Sequence, residues 1–314
     1  MTGWNTTGET IAGNSTGASG KTPNHLNRPL SIALGPTNTL YISDYSNNRI
    51  QKWILGETNG TTIAGQANGT GGATLTEIGG SIGVTADSND NIYFSDFTNQ
   101  RVMYRANGAS VISLAIGNTS YRGNGTNELN DPCGVYYDRS TNLLYVADAA
   151  NHRIMRYTPG SSVGTLIAGG NGQGIANTQL HTPHSAFYEA STNSIIIANS
   201  GAHNVVRWVI GASSWTLIGG SLTGINGSSS MLLNYPYSAI PDSFGNVYVS
   251  DRENHRIQLF PLNELNATTI AGITRNSSSA ADRLNRPYWV TIDSQVNLYV
   301  ADSFNNRVQK FSKL

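Results

Sequence analysis

The chain has one cysteine, Cys133, in 314 residues, so it can form neither an intrachain disulfide nor a cysteine zinc site. Charged residues make up only 12% of it, about half the usual quarter. The 19 Lys and Arg balance the 19 Asp and Glu, so the overall basic field of a general nucleic-acid binder is missing. No apolar run approaches the ~18 residues needed to span a membrane. The first ten residues, MTGWNTTGET, have no basic stretch and no apolar stretch, and a signal peptide is not expected. The sequence then reads as an intracellular protein or as a domain of a longer secreted chain, with the extracellular alternative favoured. What is plentiful is glycine, 34 residues, set among many Asn, Ser and Thr. That composition suits many short strands joined by tight turns, where Gly and Asn supply positive φ.

The sequence repeats itself at a period of about 52 residues, a spacing typical of propellers and solenoids. One anchor is an apolar run ending in Asp, such as Leu40-Tyr41-Ile42-Ser43-Asp44, with counterparts ending at Asp96, Asp148, Asn199, Asp251 and Asp302. Five residues later come Arg49, Arg101, Arg153, Asn204, Arg256 and Arg307. A third anchor is a TIAG-like segment ending at Gly13, Gly65, Gly117, Gly169, Gly220 and Gly272. In the first repeat the pattern predicts strand a at 30–34, b at 40–43, c at 49–54 and d at 61–64. Four antiparallel strands per repeat is the pattern of a propeller blade. A lone d strand at 9–12 and a lone c strand at 307–311 complete a sixth blade when joined. The expected fold is all-β: a closed six-bladed β-propeller whose N-terminal strand completes the last blade, leaving no exposed sheet edge.

Asn151-His152-Arg153-Ile154, Asn254-His255-Arg256-Ile257 and the upstream frames Leu26-Asn27-Arg28-Pro29 and Leu284-Asn285-Arg286-Pro287 resemble the NHL repeat family. The resemblance runs through essentially the whole chain. It implies a single propeller over 1–314, with blades at about 26–65, 78–117, 129–169, 180–220, 233–272, and 284–314 plus 2–13. It leaves activity open, because the family includes binding and adhesion modules and an amidating lyase. The lyase holds zinc with channel histidines from several blades, and here only His184 and His181 are placed for that. The related six-bladed lactonases hold calcium with channel Asn, Asp and Glu, and here the mouth offers mainly Asp131.

The pairs Asp44–Arg49, Asp96–Arg101, Asp148–Arg153, Asp251–Arg256 and Asp302–Arg307 read as structural clamps on the b–c turns. The fourth repeat loses both charges together, at Asn199 and Asn204, which avoids stranding a buried charge. His152, His203 and His255 share their repeat position with Asn48, Gln100 and Asn306, so a hydrogen-bonding loop role is expected rather than metal ligation. Asp87, Asp138, Asp242 and Asp293, with Glu189, open a–b hairpins as Asx-type turns. Nothing has the spacing of an EF-hand, a phosphate-binding loop or a nucleophile elbow.

The residues flanking each repeat proline face the channel mouth. Blades one to three contribute small or apolar groups there. Blades four to six contribute His184, Tyr235, Tyr237, Arg286, Tyr288 and Trp289, with Arg28 adjoining. This cluster reads either as a ligand site or as a plug of the channel. Arg275, Arg283, Arg286, Arg28 and Lys21 form a modest basic arc at the junction of blades six and one. Nine N-x-[ST] sequons, at Asn5, Asn14, Asn59, Asn68, Asn118, Asn124, Asn226, Asn266 and Asn276, all fall in expected loops. The d–a loop at 170–179 has none. The expectation is a monomeric, non-catalytic propeller without cofactor or metal. It would bind a protein, peptide or glycan through its top face, with nucleic acid disfavoured and no membrane span. A metal-dependent lyase or lactonase, and a single-stranded RNA binder, are the alternatives.

Overall fold

The computed structural model describes residues 3–314. Thr2, the first residue of the sixth-blade range above, lies outside the described residues. Strand β1 (Glu9–Gly13) comes first in the chain. Blade one is β2 (Pro29–Leu34), β3 (Thr39–Asp44), β4 (Arg49–Ile54) and β5 (Thr61–Gly65). Blade two is β6 (Val84–Ala86), β7 (Ile92–Asp96), β8 (Arg101–Arg105) and β9 (Ser113–Gly117). Blade three is β10 (Pro132–Asp138), β11 (Leu143–Asp148), β12 (Arg153–Tyr157) and β13 (Thr165–Gly169). Blade four is β14 (Pro183–Glu189), β15 (Ser194–Asn199), β16 (Asn204–Val209) and β17 (Thr216–Gly220). Blade five is β18 (Pro236–Pro241), β19 (Val247–Asp251), β20 (Arg256–Phe260) and β21 (Thr268–Gly272). Blade six is β22 (Trp289–Ile292), β23 (Leu298–Asp302) and β24 (Arg307–Phe311), completed by β1. Each sheet is a four-stranded antiparallel meander, and β1 pairs with β24 from Glu9↔Lys310 to Gly13↔Arg307.

The second strand of each blade is nearly all apolar because neighbouring blades cover both of its faces. Along β3, Leu40 and Ile42 join one core cluster and Tyr41 the next, so each blade feeds two interfaces. Full burial of each such side chain contributes roughly 1.5–3 kcal/mol.

The recurring glycine has a steric cause. Gly65 has φ +77°, and a Cβ there would sit 2.2 Å from the carbonyl oxygen of Asn48. The equivalent glycine of every other blade also has positive φ and faces the matching carbonyl.

The Asp–Arg pairs hold more than the turn they flank. Arg49 Nε donates to Asp44 Oδ2 at 2.7 Å, and Nη1 donates to the carbonyls of Lys21 and Ala67. Asp44 Oδ1 accepts the Asn27 amide, and Asn47 Nδ2 donates to both Asp44 and the Gly20 carbonyl. One buried hub therefore pins the loop entering its blade and the loop leaving it. In blade four, Asn199 Nδ2 donates to Asn204 Oδ1 at 3.0 Å, and Asn204 Nδ2 donates to the Ser221 carbonyl.

The residue before each hub Arg, and before Asn204 in blade four, is left-handed, with φ from 49° to 59°. At most blade junctions its side chain latches the next blade. His152, His203 and His255 accept, through Nδ1, the amides of Thr182, Tyr235 and Arg286 at 3.1, 3.2 and 3.0 Å. Asn306 and Gln100 do the same with side-chain carbonyls for Arg28 and Asp131. Burial lowers the pKa of all three imidazoles below the ordinary 6.5; His181 reinforces this at His152 and His203, while Glu253 opposes it at His255. Protons therefore bind the unfolded chain first. The stability these groups contribute is complete above about pH 6.5 and is lost as pH falls toward their folded values. Replacing the three with Asn, which already serves at position 306, should flatten the fall in melting temperature between about pH 6.5 and 5. An unchanged slope would sink this assignment.

Candidate functional site

The first residues of the inner strands converge at the top of the channel, on the face that carries the b–c turns and the long d–a loops. Leu30, Ile82 and Cys133 are buried there as apolar fill. On the facing half, His184 stacks on Tyr237 with centroids 4.0 Å apart, and Tyr288 meets Tyr237 edge-on at 4.4 Å. Burial pushes the His184 pKa down to about 4, so its ring is neutral near pH 7. His184 Nδ1 lies 3.1 Å from the Thr182 carbonyl. Burial raises the Tyr288 phenol well above its ordinary value. These three rings pack on each other and close the channel below the mouth.

Trp289 deepens the closure. Its repeat position holds Ser31, Gly83, Gly134, Ser185 and Ser238 in the other blades. The indole instead reaches across to the facing blade, and a Cβ on Gly134 would lie 3.1 Å from its Cη2. The same added Cβ would sit 2.5 Å from the His184 carbonyl oxygen, so this position also needs glycine for the close approach of blades three and four.

Above the plug, the residues read from the sequence divide. Tyr235 is exposed and turns to His203, with centroids 4.5 Å apart, away from Tyr237. Arg28 and Arg286 lie over the ring of Phe304 at 4.9 and 5.0 Å. Arg252, which the sequence reading missed, lies over Tyr237 at 4.9 Å and over Phe304 at 5.8 Å. Three guanidiniums thus surround one phenyl ring. Glu253 is the carboxylate among them, pairing with Arg286 at 3.0 Å and with Arg252. Arg28 has no ion-pair partner among the described residues, and the Nε atoms of Arg28 and Arg252 are buried without a hydrogen bond. The ensemble carries excess positive charge on an aromatic platform, and guanidinium forks match carboxylates and other planar or tetrahedral anions.

The outer basic arc is looser. Arg283 pairs with Asp282 at 3.3 Å, and Lys21 and Arg275 are exposed. Asp131, at the opposite rim, pairs with Arg122 at 3.1 Å. His181 contacts Gln173 at 2.7 Å and lies edge-on to His152 with centroids 6.2 Å apart, outside the channel cluster. Among the described residues no three His, Cys, Asp or Glu side chains converge as metal ligands. Arg252 and Phe304 were legible in principle. The two residues after each anchor Asp, or after Asn199 in blade four, change from blade to blade: Tyr45-Ser46, Phe97-Thr98, Ala149-Ala150, Ser200-Gly201, Arg252-Glu253 and Ser303-Phe304.

Comparison with known proteins places the NHL repeat at residues 26–53 and 129–157. The chloroplastic protein Suppressor of Quenching 1 of Arabidopsis thaliana is 24% identical over 207 residues, covering 58% of this chain. The match spans only 20% of that relative's length. Among solved structures, an auxiliary nutrient binding protein of Bacteroides thetaiotaomicron superposes with TM-score 0.70 at 14% identity, over 97% of this chain and 76% of its own. Virginiamycin B lyase of Staphylococcus aureus superposes with TM-score 0.61 at 13% identity, over 93% of this chain and 83% of its own. At such identities the likeness is one of fold.

Proposed function

We propose, from the premise that this chain is an NHL-repeat six-bladed β-propeller, that it is a non-catalytic binding module that takes a carboxylate-bearing ligand at the top-face mouth of blades five, six and one. The observation that carries this reading is the set Arg28, Arg252 and Arg286 around Phe304, with Glu253 alone as internal counter-charge. The stacked rings beneath give the site a packed floor, and loops on a rigid scaffold are where such rings recognise partners. A solved neighbour described as a nutrient-binding protein accords with binding. The ligand is an acidic peptide or an acidic glycan, and His184, Tyr237, Tyr288 and Trp289 support the site from below.

The module belongs to a larger extracellular protein in this reading. Eight of the nine sequon asparagines are exposed, the half-buried Asn14 being the exception. Glycans there would leave the sector around 170–179 bare. The balanced charge of the whole chain disfavours an RNA partner.

The test is a carboxylate-rich peptide and glycan array probed with the native chain and with the Arg28→Gln/Arg252→Gln double variant. The strongest native ligands should lose about tenfold or more in affinity with the double variant, and should weaken with added salt. Ligands bound equally by both proteins would place recognition elsewhere.

A further inference from the structure

The plug divides the axial channel, and beneath it lies a second site. A cavity of about 420 Å³ is lined by the lower halves of the inner strands of all six blades. That volume is in the range of small-molecule pockets, ~300–1,000 Å³. Trp289 forms its roof. Its wall includes Tyr136 stacked on Phe187, with centroids 4.1 Å apart. Aliphatic side chains such as Ile32 and Ile240 complete much of the remainder. Three of the lining hydroxyls are already used between blades. Thr85 accepts the Tyr137 amide, Ser185 accepts the Ala239 amide, and Ser238 donates to the Val290 carbonyl.

Two charged residues line the cavity, Asp138 and Arg139. Asp138 is buried, and its carboxylate is taken up by Ser140 and Thr141. Arg139 is exposed and crosses from blade three over the rim. Its Nε and Nη2 donate to the Ala86 carbonyl at 3.3 and 3.2 Å, and Nη2 also donates to the Leu34 carbonyl at 3.0 Å. These partners are neutral carbonyls, and the guanidinium stands at the opening. No ion pair involves it among the described residues.

We infer that this lower cavity binds a small organic acid with an aromatic or branched apolar body, its carboxylate on Arg139 and its body between Tyr136, Phe187 and the underside of Trp289. A chamber with aromatic and aliphatic side chains along its wall, and at its entrance a guanidinium with no ion pair among the described residues, selects that amphiphile. A neutral analogue loses the charge-assisted bond, and a polar one leaves the walls uncovered. The site faces away from the top-face mouth and does not depend on it.

The experiment is calorimetric titration of the whole chain with 3-phenylpropionate and with its uncharged amide. Saturable binding of the acid is expected, about tenfold or more tighter than the amide. Arg139→Gln should erase that preference, and Arg139→Lys should keep part of it. Arg139 also ties three blades, so a cavity-filling variant provides an independent arm. Thr291→Phe leaves the arginine in place and should abolish binding. The Arg28→Gln/Arg252→Gln variant should bind 3-phenylpropionate as the native chain does, which separates this site from the top face. Absence of saturable binding, equal affinity for acid and amide, or binding unaffected by Thr291→Phe would overturn the assignment.

Discussion

Arg307→Leu should lower the unfolding free energy by about 3–5 kcal/mol, whereas Asp302→Asn combined with Arg307→Asn should lower it by about half as much or less. Arg307 is buried and donates Nε to Asp302 at 2.9 Å. Its Nη1 holds the carbonyls of Ser15 and Ser279, and its Nη2 holds that of Ala280. The first of these contacts ties the N-terminal segment to the last blade. Asp302 is more buried still; loss of solvent pushes its pKa up to about 6 even with Arg307 beside it. Leucine would leave that carboxylate facing a cation-free interior and several carbonyls without donors. The double variant removes the charge together with its partner, and blade four shows that an Asn–Asn pair fits the same frame. Denaturant titration of the two variants reads the difference directly. Equal losses would mean that the stranded charge is not the dominant cost.

Removing residues 1–13 should abolish the closed monomer, with a large drop in melting temperature and association on a sizing column. Without β1 the sheet of blade six ends at β24, whose outer backbone groups become an open edge. The loss extends past the ladder. Trp4 packs edge-on against Tyr248 at 5.8 Å and donates Nε1 to the Val296 carbonyl, and Ala12 is buried between blades. A synthetic peptide of residues 1–13 should restore the monomer by strand addition. The same peptide with Gly13→Ala should restore it poorly, because the new Cβ would fall 2.5 Å from the Asn306 carbonyl oxygen at a φ of +82°. A truncated chain that stays monomeric and melts as the native one does would show that closure contributes little.

The fold was legible because the ring asks for the same solutions six times. A left-handed glycine beside a carbonyl recurs in all six blades and a buried Asp–Arg hub in five, so the period and the split sixth blade could be read directly. The site was legible only in angular position. Repeat register put Tyr235, Tyr237, Tyr288, His184 and Trp289 at one mouth, but register does not set side-chain direction. Tyr235 turns outward to His203, Trp289 dips across the channel, and the stacked rings fill space. The charge that makes the mouth suited to an anion comes partly from a different loop, through Arg252. Asp138 explains the hairpin by itself, so nothing in the sequence singles out Arg139. Its reach over two neighbouring blades depends on ring curvature, which no single repeat encodes.

The paired chain ends give the ring a mechanical character. The amide of Leu314 bonds the Gly3 carbonyl, and that of Asn5 bonds the Ser312 carbonyl. Gly3 and Leu314 thus lie side by side at the same end of the β1–β24 ladder. Tension between flanking segments would load that ladder like a zip, breaking its bonds one after another rather than all at once. The first strand would peel away at low force while the other five blades stayed folded, and would reseat when the load was released. In a longer chain under strain, the ring would act as a clasp that yields early and closes again.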